Sequence, residues 1–154
     1  MSKKQLNLLY LVFALSLTGT LGSLYFSEIQ NLLPCLLCWY QRIALYPIVL
    51  ISAVAILNED SKAHRYILPL AILGFGIALY QNLLIWGIVP ESTSGCTGGV
   101  SCTQPTISWL GFITIPILSL TAFAGIIGLI LEFLKCDSKE KQDASQTKDK
   151  KTVT

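Results

Sequence analysis

Residues 112–134 have the sequence FITIPILSLTAFAGIIGLILEFL, in which Glu132 is the only charged side chain. Because an α-helix rises about 1.5 Å per residue, a helix of this length spans the roughly 30 Å of hydrocarbon in a bilayer. Three more apolar stretches of membrane-spanning length precede it, at residues 6–27, 39–57 and 66–89. The sequence therefore predicts an all-α membrane protein, in which residues 1–134 form a bundle of four transmembrane helices.

The composition agrees with this class of fold. Of the 154 residues, 53% are hydrophobic and only 13% are charged, and the mean hydropathy of +0.61 is well above that of a soluble domain. The segments between the apolar stretches are too short to fold a soluble domain outside the bundle. Any chemistry must therefore take place in the loops or between the helices.

Basic residues are unevenly distributed along the chain. Arg42 lies inside the second apolar stretch, whereas the other ten lie before the first stretch, between the second and third, or after the fourth. Those ten are Lys3, Lys4, Lys62, Arg65, Lys135, Lys139, Lys141, Lys148, Lys150 and Lys151. By the positive-inside rule, both termini and the loop at 58–65 are predicted to be cytoplasmic. The two remaining loops, which contain cysteines, are then short and extracytoplasmic.

The two ends of the chain need separate interpretations. After Leu134 the sequence is polar and has no apolar periodicity, which predicts a disordered, charged cytoplasmic tail over residues 135–154. At the other end, Lys3 and Lys4 followed by an apolar run also fit a cleaved secretory signal peptide. We favour a retained first helix, because the apolar run continues through Leu24, beyond the usual length of such a signal.

Four of the five cysteines form two pairs, one in each extracytoplasmic loop. Cys35 and Cys38 form a C-x-x-C motif at the start of the second helix, where unpaired backbone amides and the helix dipole stabilise a thiolate. The motif does not fit haem attachment, because Trp39 occupies the position at which a haem-attachment motif requires His. Two intervening residues let the sulfur atoms close a disulfide, so the pair is predicted to cycle between dithiol and disulfide.

The second pair, Cys96 and Cys102, is separated by five residues that include Gly98 and Gly99. A pliant loop of this kind suits thiol–disulfide exchange. Two alternatives remain open: a passive disulfide that closes the loop, and a zinc site made of all four thiolates. The oxidising compartment and the unequal spacing of the two pairs disfavour zinc. Cys136 follows the fourth helix and is predicted to be a free cytoplasmic thiol.

Arg42 lies four residues beyond Cys38, one helical turn deeper on nearly the same face of the second helix. Its guanidinium is predicted to stabilise a Cys38 thiolate and any negative charge that develops on an electron acceptor. The alternative is a snorkelling arginine that reaches the lipid headgroups. In the third helix, Gln81 and Asn82 favour helix-to-helix hydrogen bonds over contacts with a planar ligand.

Three features resemble the DsbB family of membrane thiol–disulfide oxidoreductases, particularly its shorter BdbC-like branch. They are the run CLLCWYQR at 35–42, the cysteine pair before the fourth helix, and the run WLGFITIP at 109–116. The resemblance implies an enzyme of the bacterial cell (inner) membrane that depends on a quinone, either menaquinone or ubiquinone. It also implies a secreted DsbA-like partner, a thiol oxidase of thioredoxin fold. We expect neither a metal nor a nucleic acid to bind.

The resemblance implies a role for each residue of the site. The dithiol partner attacks the Cys96–Cys102 disulfide at Cys96, and Cys102 then attacks Cys35. Cys38 is released as a thiolate beside Arg42 and donates to the quinone bound there. Closure of the Cys35–Cys38 disulfide resets the enzyme, and the partner supports oxidative folding of exported proteins.

The sequence departs from the longer members of this family in two places. The gap in its second cysteine pair is narrower, and Gln41 stands where those members often have an acid. The nearest alternative enzyme is a vitamin K epoxide reductase-like protein, although its C-x-x-C belongs at the last helix. From a different class, a non-catalytic membrane scaffold or accessory protein would use the same disulfides only to stiffen its loops.

Overall fold

The computed structural model describes residues 2–29, 31, 35–89, 108–109 and 113–152. Its helices are α1 (Lys3–Leu24), α2 (Leu36–Leu57), α3 (His64–Ile85) and α4 (Ile115–Thr152), and a π-helical turn (Tyr25–Ile29) extends α1. Two short strands, β1 (Ser108–Trp109) and β2 (Ile113–Thr114), pair antiparallel just before α4. All four helices are long and apolar enough to cross a membrane, which confirms the predicted four-helix transmembrane bundle.

Each helix packs against two neighbours, because α1 and α3 both contact α2 and α4. The side chains between them form an apolar core whose members are at most 2% exposed: Leu9, Val12, Ile48, Ile67, Phe123, Ile126 and Ile130. The outward faces are also apolar, with large exposed side chains at Leu11, Ile43, Leu50, Ile72, Leu73 and Leu118. A helix that is apolar on all sides is suited to lipid rather than to water.

Small residues let two helices approach closely at one point of the core. A Cβ atom added at Gly74 of α3 would overlap with the aromatic ring of Phe123 in α4. The Phe123 ring therefore occupies the space that glycine leaves free. This contact agrees with the use of small residues in the packing of transmembrane helices.

Local backbone chemistry sets the ends of α2 and α3. Cys35 caps α2, since its sulfur accepts a hydrogen bond from the Cys38 backbone N–H, and the helix therefore begins three residues before the predicted residue 39. At the end of α3, Gly87 has a φ of 70°. The N–H groups of Gly87 and Ile88 bond back to Leu84 and Leu83, which is a Schellman motif. This motif ends α3 at Ile85 instead of the predicted residue 89.

The fourth helix differs from the prediction at both ends. It begins at Ile115 rather than at residue 112, because residues 113–114 pair with β1. It also continues to Thr152, whereas the sequence predicted disorder from residue 135. Ten of the 18 residues at 135–152 are Lys, Gln, Glu or Ala, which have high helix propensity, and extending an existing helix needs no new nucleus. An exposed salt bridge of 2.6 Å joins Lys135 to Glu132 where the helix passes from the apolar to the polar segment.

The chain runs up and down the bundle, so that the end of α1, the start of α2, the end of α3 and the start of α4 meet at one end. Hydrogen bonds from α2 to α1, from α3 to α2 and from α3 to α4 join these segments. We call this region the cysteine end of the bundle, because it contains Cys35 and Cys38.

Candidate functional site

The first cysteine pair lies where the sequence predicted it, at the start of α2. Cys35 is 7% exposed, and its sulfur atom lies 2.7 Å from that of Cys38. Among the described residues, Cys35, Cys38 and Cys136 are free cysteines. A disulfide needs its sulfur atoms about 2.05 Å apart, so this pair can close by a small adjustment of side chains on a fixed helix.

The hydrogen bond with Cys38 is the main cause that raises the pKa of the Cys35 thiol, and burial adds to it. Cys35 therefore retains its proton. Cys38 lies inside the first turn of α2, where it faces the positive end of the helix dipole. Of the two sulfur atoms, Cys38 is the one placed to carry a negative charge.

Two buried glutamines contact this pair from inside the bundle. The Nε2 atom of Gln81 in α3 donates to the sulfur of Cys35 at 3.3 Å and to that of Cys38 at 3.5 Å. The Nε2 atom of Gln41 in α2 donates to Oε1 of Gln81 at 2.7 Å. Gln41 and Gln81 are 7% and 3% exposed, so water does not compete for these bonds.

Sequence reasoning predicted that Gln81 forms helix-to-helix hydrogen bonds but did not identify the sulfur atoms as its partners. The available signal was an amide in the apolar stretch of α3, together with Gln41 three residues beyond Cys38. Which partner such an amide finds depends on how α2 and α3 are rotated about their axes, and this rotation is a property of the folded bundle.

Arg42 is bonded to the end of α1. Its Nε atom donates to Oγ of Ser23 at 2.7 Å, and its Nη2 atom donates to the Ser23 carbonyl oxygen at 2.8 Å. The guanidinium also lies 5.5 Å from the centre of the Trp39 ring, within cation–π range. The sequence did not identify Ser23 as a partner of Arg42.

The surroundings of Arg42 fit the carbonyl group of a quinone. Among the described residues, Ser23 is the only acceptor of its hydrogen bonds, and a guanidinium has five N–H donors. Donors therefore remain for a carbonyl oxygen. Trp39 is half exposed beside the guanidinium and supplies a flat apolar surface.

Asn82 attaches α4 to α3 next to this site. Its Nδ2 atom donates to the carbonyl oxygens of Ala78, at 2.8 Å, and Pro116, at 3.1 Å. Val89, the last described residue before the second cysteine loop, packs on the buried cluster of Cys35, Leu37 and Leu84. Both flanks of that loop are thus fixed at the cysteine end.

The other three cysteines are not seen beside the Cys35–Cys38 pair. Cys96 and Cys102, which the sequence predicts to be catalytic, lie outside the described residues. Cys136 is half buried in α4. Because it lies 21 residues after the start of that helix, it is about 30 Å from the cysteine end along the helix axis. It is therefore not part of this site.

A closely spaced cysteine pair at one end of a membrane-spanning bundle, with buried amide donors and a cation around it, defines a membrane thiol–disulfide oxidoreductase. Residues 4–133 match the family model described as "Disulfide bond formation protein DsbB", and the chain belongs to this family. The match confirms the resemblance that the sequence motifs indicated. It also identifies the chain as a disulfide-generating membrane protein.

Several curated proteins are similar to this chain over most of their length. Disulfide bond formation protein C of Bacillus subtilis (strain 168) is 43% identical, over 90% of this chain and 99% of that protein. A probable disulfide formation protein of Deinococcus radiodurans is 45% identical, over 79% of this chain and 85% of its own length. A probable disulfide formation protein of Chlamydia trachomatis is 47% identical, over 80% of this chain and 89% of its own length. No solved structure matches the chain significantly.

Proposed function

We propose that this protein reoxidises a secreted dithiol partner of thioredoxin fold and passes the electrons to a membrane quinone, which supports oxidative folding of exported proteins. The observation that carries the proposal is the Cys35–Cys38 pair, with sulfur atoms 2.7 Å apart at the end of a membrane bundle. In this proposal, the pair receives electrons from the second cysteine pair and passes them to a lipid-soluble acceptor.

The relay uses two disulfides in series. The partner dithiol attacks Cys96, becomes a disulfide itself, and leaves Cys96 and Cys102 reduced. Cys102 then attacks Cys35, so the Cys96–Cys102 disulfide forms again while the Cys35–Cys38 disulfide is broken. Each exchange moves two electrons, and in the second one a proton goes to Cys35, Cys38 is left as a thiolate and the other proton is released. Cys35 and Cys38 return to the disulfide by giving up two electrons to the acceptor and the one proton that Cys35 carries.

The reach of the chain supports the contact between the two pairs. Val89 packs on the cluster that contains Cys35, and Cys96 lies seven residues farther along the chain. Because an extended chain covers about 3.5 Å per residue, seven residues reach about 25 Å. The chain between Val89 and Cys96 is therefore long enough for Cys96 to reach Cys35.

Arg42 holds the acceptor at the end of the relay. A bound quinone supplies a two-electron acceptor that accepts protons as it is reduced. Arg42 donates to a carbonyl oxygen of that acceptor and favours negative charge on it, while Ser23 keeps the guanidinium in place. Because Arg42 lies one helical turn from Cys38, the same cation also stabilises the thiolate that donates the electrons.

The redox energetics favour a quinone over a soluble thiol couple. A partner as oxidising as DsbA has a potential of roughly −120 mV, so an acceptor near −200 mV would oppose its oxidation by about 3.7 kcal/mol per two electrons. Glutathione-like couples therefore do not drive the cycle. An acceptor of higher potential that dissolves in the lipid does, and the bundle is in direct contact with lipid.

The test is quinone reduction by the purified full-length protein supplied with a reduced thioredoxin-fold dithiol protein. We expect turnover by the native chain and by Cys136→Ser, because Cys136 lies outside the relay. Cys38→Ser and Cys102→Ser should each reduce turnover to background, because each removes one of the two disulfides. A non-catalytic scaffold would show no turnover in any of the four proteins, and this result would overturn the proposal.

A further inference from the structure

The two buried amides at the sulfur pair form a chain with a defined direction. Gln41 donates to Oε1 of Gln81 at 2.7 Å, and the Nε2 atom of Gln81 donates to both sulfur atoms, at 3.3 and 3.5 Å. These bonds cross from α2 to α3 and back to the start of α2. The amide of Gln81 in α3 thus contacts α2 at two places, at Gln41 and at the cysteine pair.

Gln41 determines which face of the Gln81 amide points to the sulfur atoms. If the amide were turned over, its NH₂ group would face the Nε2 donor of Gln41, and its carbonyl oxygen would face two electron-rich sulfur atoms. Both contacts would be repulsive in a buried site where neither group finds water. With Gln41 donating to Oε1, the donor face is held towards Cys35 and Cys38.

A fixed donor at this position distinguishes between the two redox states of the pair. A thiolate accepts a hydrogen bond much more strongly than a disulfide sulfur does, because hydrogen bonds to charged groups are the stronger ones. We propose that Gln81 is a catalytic hydrogen-bond donor that selectively stabilises the reduced Cys35–Cys38 pair, and that Gln41 is the positioning residue for this donor. The inference rests on the proposed function, in which this pair turns over between its two states.

The donor makes the Cys35–Cys38 disulfide a stronger oxidant. Reduction breaks the S–S bond and takes up two electrons. One proton goes to Cys35, and Cys38 is left as the sulfur that carries negative charge next to the Nε2 donor. Stabilisation of this reduced state favours electron flow from the second cysteine pair into the first. This amide pair is neutral, so it acts on the sulfur atoms without adding a competing charge to the site.

The experiment measures the equilibrium between the dithiol and the disulfide in the full-length protein. Replacing Cys96, Cys102 and Cys136 by Ser isolates the first pair, and a dithiothreitol redox buffer supplies the electrons. Gln81→Met removes the donor but keeps the length and volume of the side chain. We expect it to shift the equilibrium constant about tenfold towards the disulfide, equal to a midpoint about 30 mV more negative. Gln81→Leu should give a shift in the same direction and provides a second variant.

Gln41→Met tests the positioning role. With its orienting donor removed, the Gln81 amide is free to turn over, and we expect a smaller shift of about threefold in the same direction. The double variant Gln41→Met/Gln81→Met should match Gln81→Met alone, because Gln41 acts only through Gln81. Additive shifts in the double variant would overturn the positioning role, since they would mean that the two amides act independently.

Gln5 supplies the matched control. It is a glutamine 1% exposed near the start of α1, away from the cysteine end, and its side chain accepts a hydrogen bond from the Ser2 backbone. Gln5→Met should leave the equilibrium constant unchanged. An equal shift in Gln5→Met, or an unchanged constant in Gln81→Met, would show that the donor has no selective effect on the sulfur pair.

The redox titration uses neither quinone nor the dithiol partner, so the two proposals fail separately. If Gln81→Met leaves the midpoint potential unchanged while the native protein reduces quinone, only the role of Gln81 is overturned. If Gln81→Met shifts the midpoint potential but the native protein does not reduce quinone, only the proposed function is overturned.

Discussion

At the scale of single residues, the site is built by polar side chains that each connect two helices. Gln81 joins α3 to the sulfur atoms at the start of α2, and Asn82 joins α3 to Pro116 at the start of α4. Arg42 joins α2 to Ser23 at the end of α1. In an apolar bundle, such bonds fix the rotation of each helix because a buried polar group without a partner is costly.

Ser23 is expected to hold the Arg42 guanidinium in its working position. Ser23→Ala removes the hydroxyl acceptor of Arg42 Nε but keeps the backbone carbonyl that accepts from Nη2. We expect the KM for quinone to rise several-fold with kcat little changed, and Arg42→His to raise KM further while both disulfides still form. Steady-state kinetics over a range of quinone concentrations measure both constants.

Thr18→Ala is the control for Ser23→Ala. The Thr18 hydroxyl is exposed on the same helix and bonds only within it, to the Ala14 carbonyl at 2.8 Å, among the described residues. Its removal should leave the KM for quinone at the native value. If Ser23→Ala also leaves KM unchanged, Ser23 does not position Arg42 for the acceptor.

At the scale of elements, the packing of α3 on α4 depends on a glycine that accommodates an aromatic ring. Phe123 is 2% exposed and fills the space in front of Gly74. This contact lies in the apolar core, about two turns from Gln81 and Asn82 along α3. Close packing there fixes how far α3 lies from α4, and therefore where the amides of α3 meet the cysteine end.

Gly74→Ala is expected to destabilise the bundle. Its Cβ would overlap with the Phe123 ring, and overpacking of this kind typically costs about 1–3 kcal/mol. Gly76→Ala on the same helix is the control, because a Cβ there has no atom within 4 Å. Thermal unfolding in detergent should show a lower midpoint for Gly74→Ala and an equal or higher one for Gly76→Ala. Equal midpoints for both variants would contradict the overlap.

At the scale of the whole molecule, the bundle separates the three thiols that the structure describes into two groups. Cys35 and Cys38 lie at the cysteine end, and Cys136 lies about 30 Å away along α4. The distribution of lysines and Arg65 predicts that the cysteine end faces outward and that Cys136 faces the cytoplasm. Such an arrangement would keep Cys136 in the reducing compartment while the relay works in the oxidising one.

An impermeant maleimide added to intact spheroplasts after mild reduction tests this orientation. In single-cysteine variants, we expect Cys102 to be labelled at once and Cys136 only after the membrane is permeabilised. Mass spectrometry of the labelled protein gives the fraction modified at each position. Labelling of Cys136 before permeabilisation, with Cys102 protected, would place the cysteine end in the cytoplasm and exclude the proposed circuit.

The sequence alone determined the four-helix membrane class and the C-x-x-C pair at a helix start. Both follow from local properties: the length of each apolar stretch, and two cysteines spaced within one helical turn. Helix ends were predicted less well, because the cap at Cys35 and the left-handed Gly87 decide them. The helical continuation of α4 to Thr152 was missed, because polarity was taken as a sign of disorder although the same residues favour helix.

Only the tertiary structure decided which polar groups meet at the site. That Gln81 donates to the sulfur atoms, that Gln41 donates to Gln81 and that Ser23 accepts from Arg42 are contacts between residues 19 to 46 positions apart in the chain. They depend on the rotation and height of each helix relative to its neighbours. Those quantities are set by the packing of many side chains at once, including Phe123 against Gly74, and no short motif encodes them.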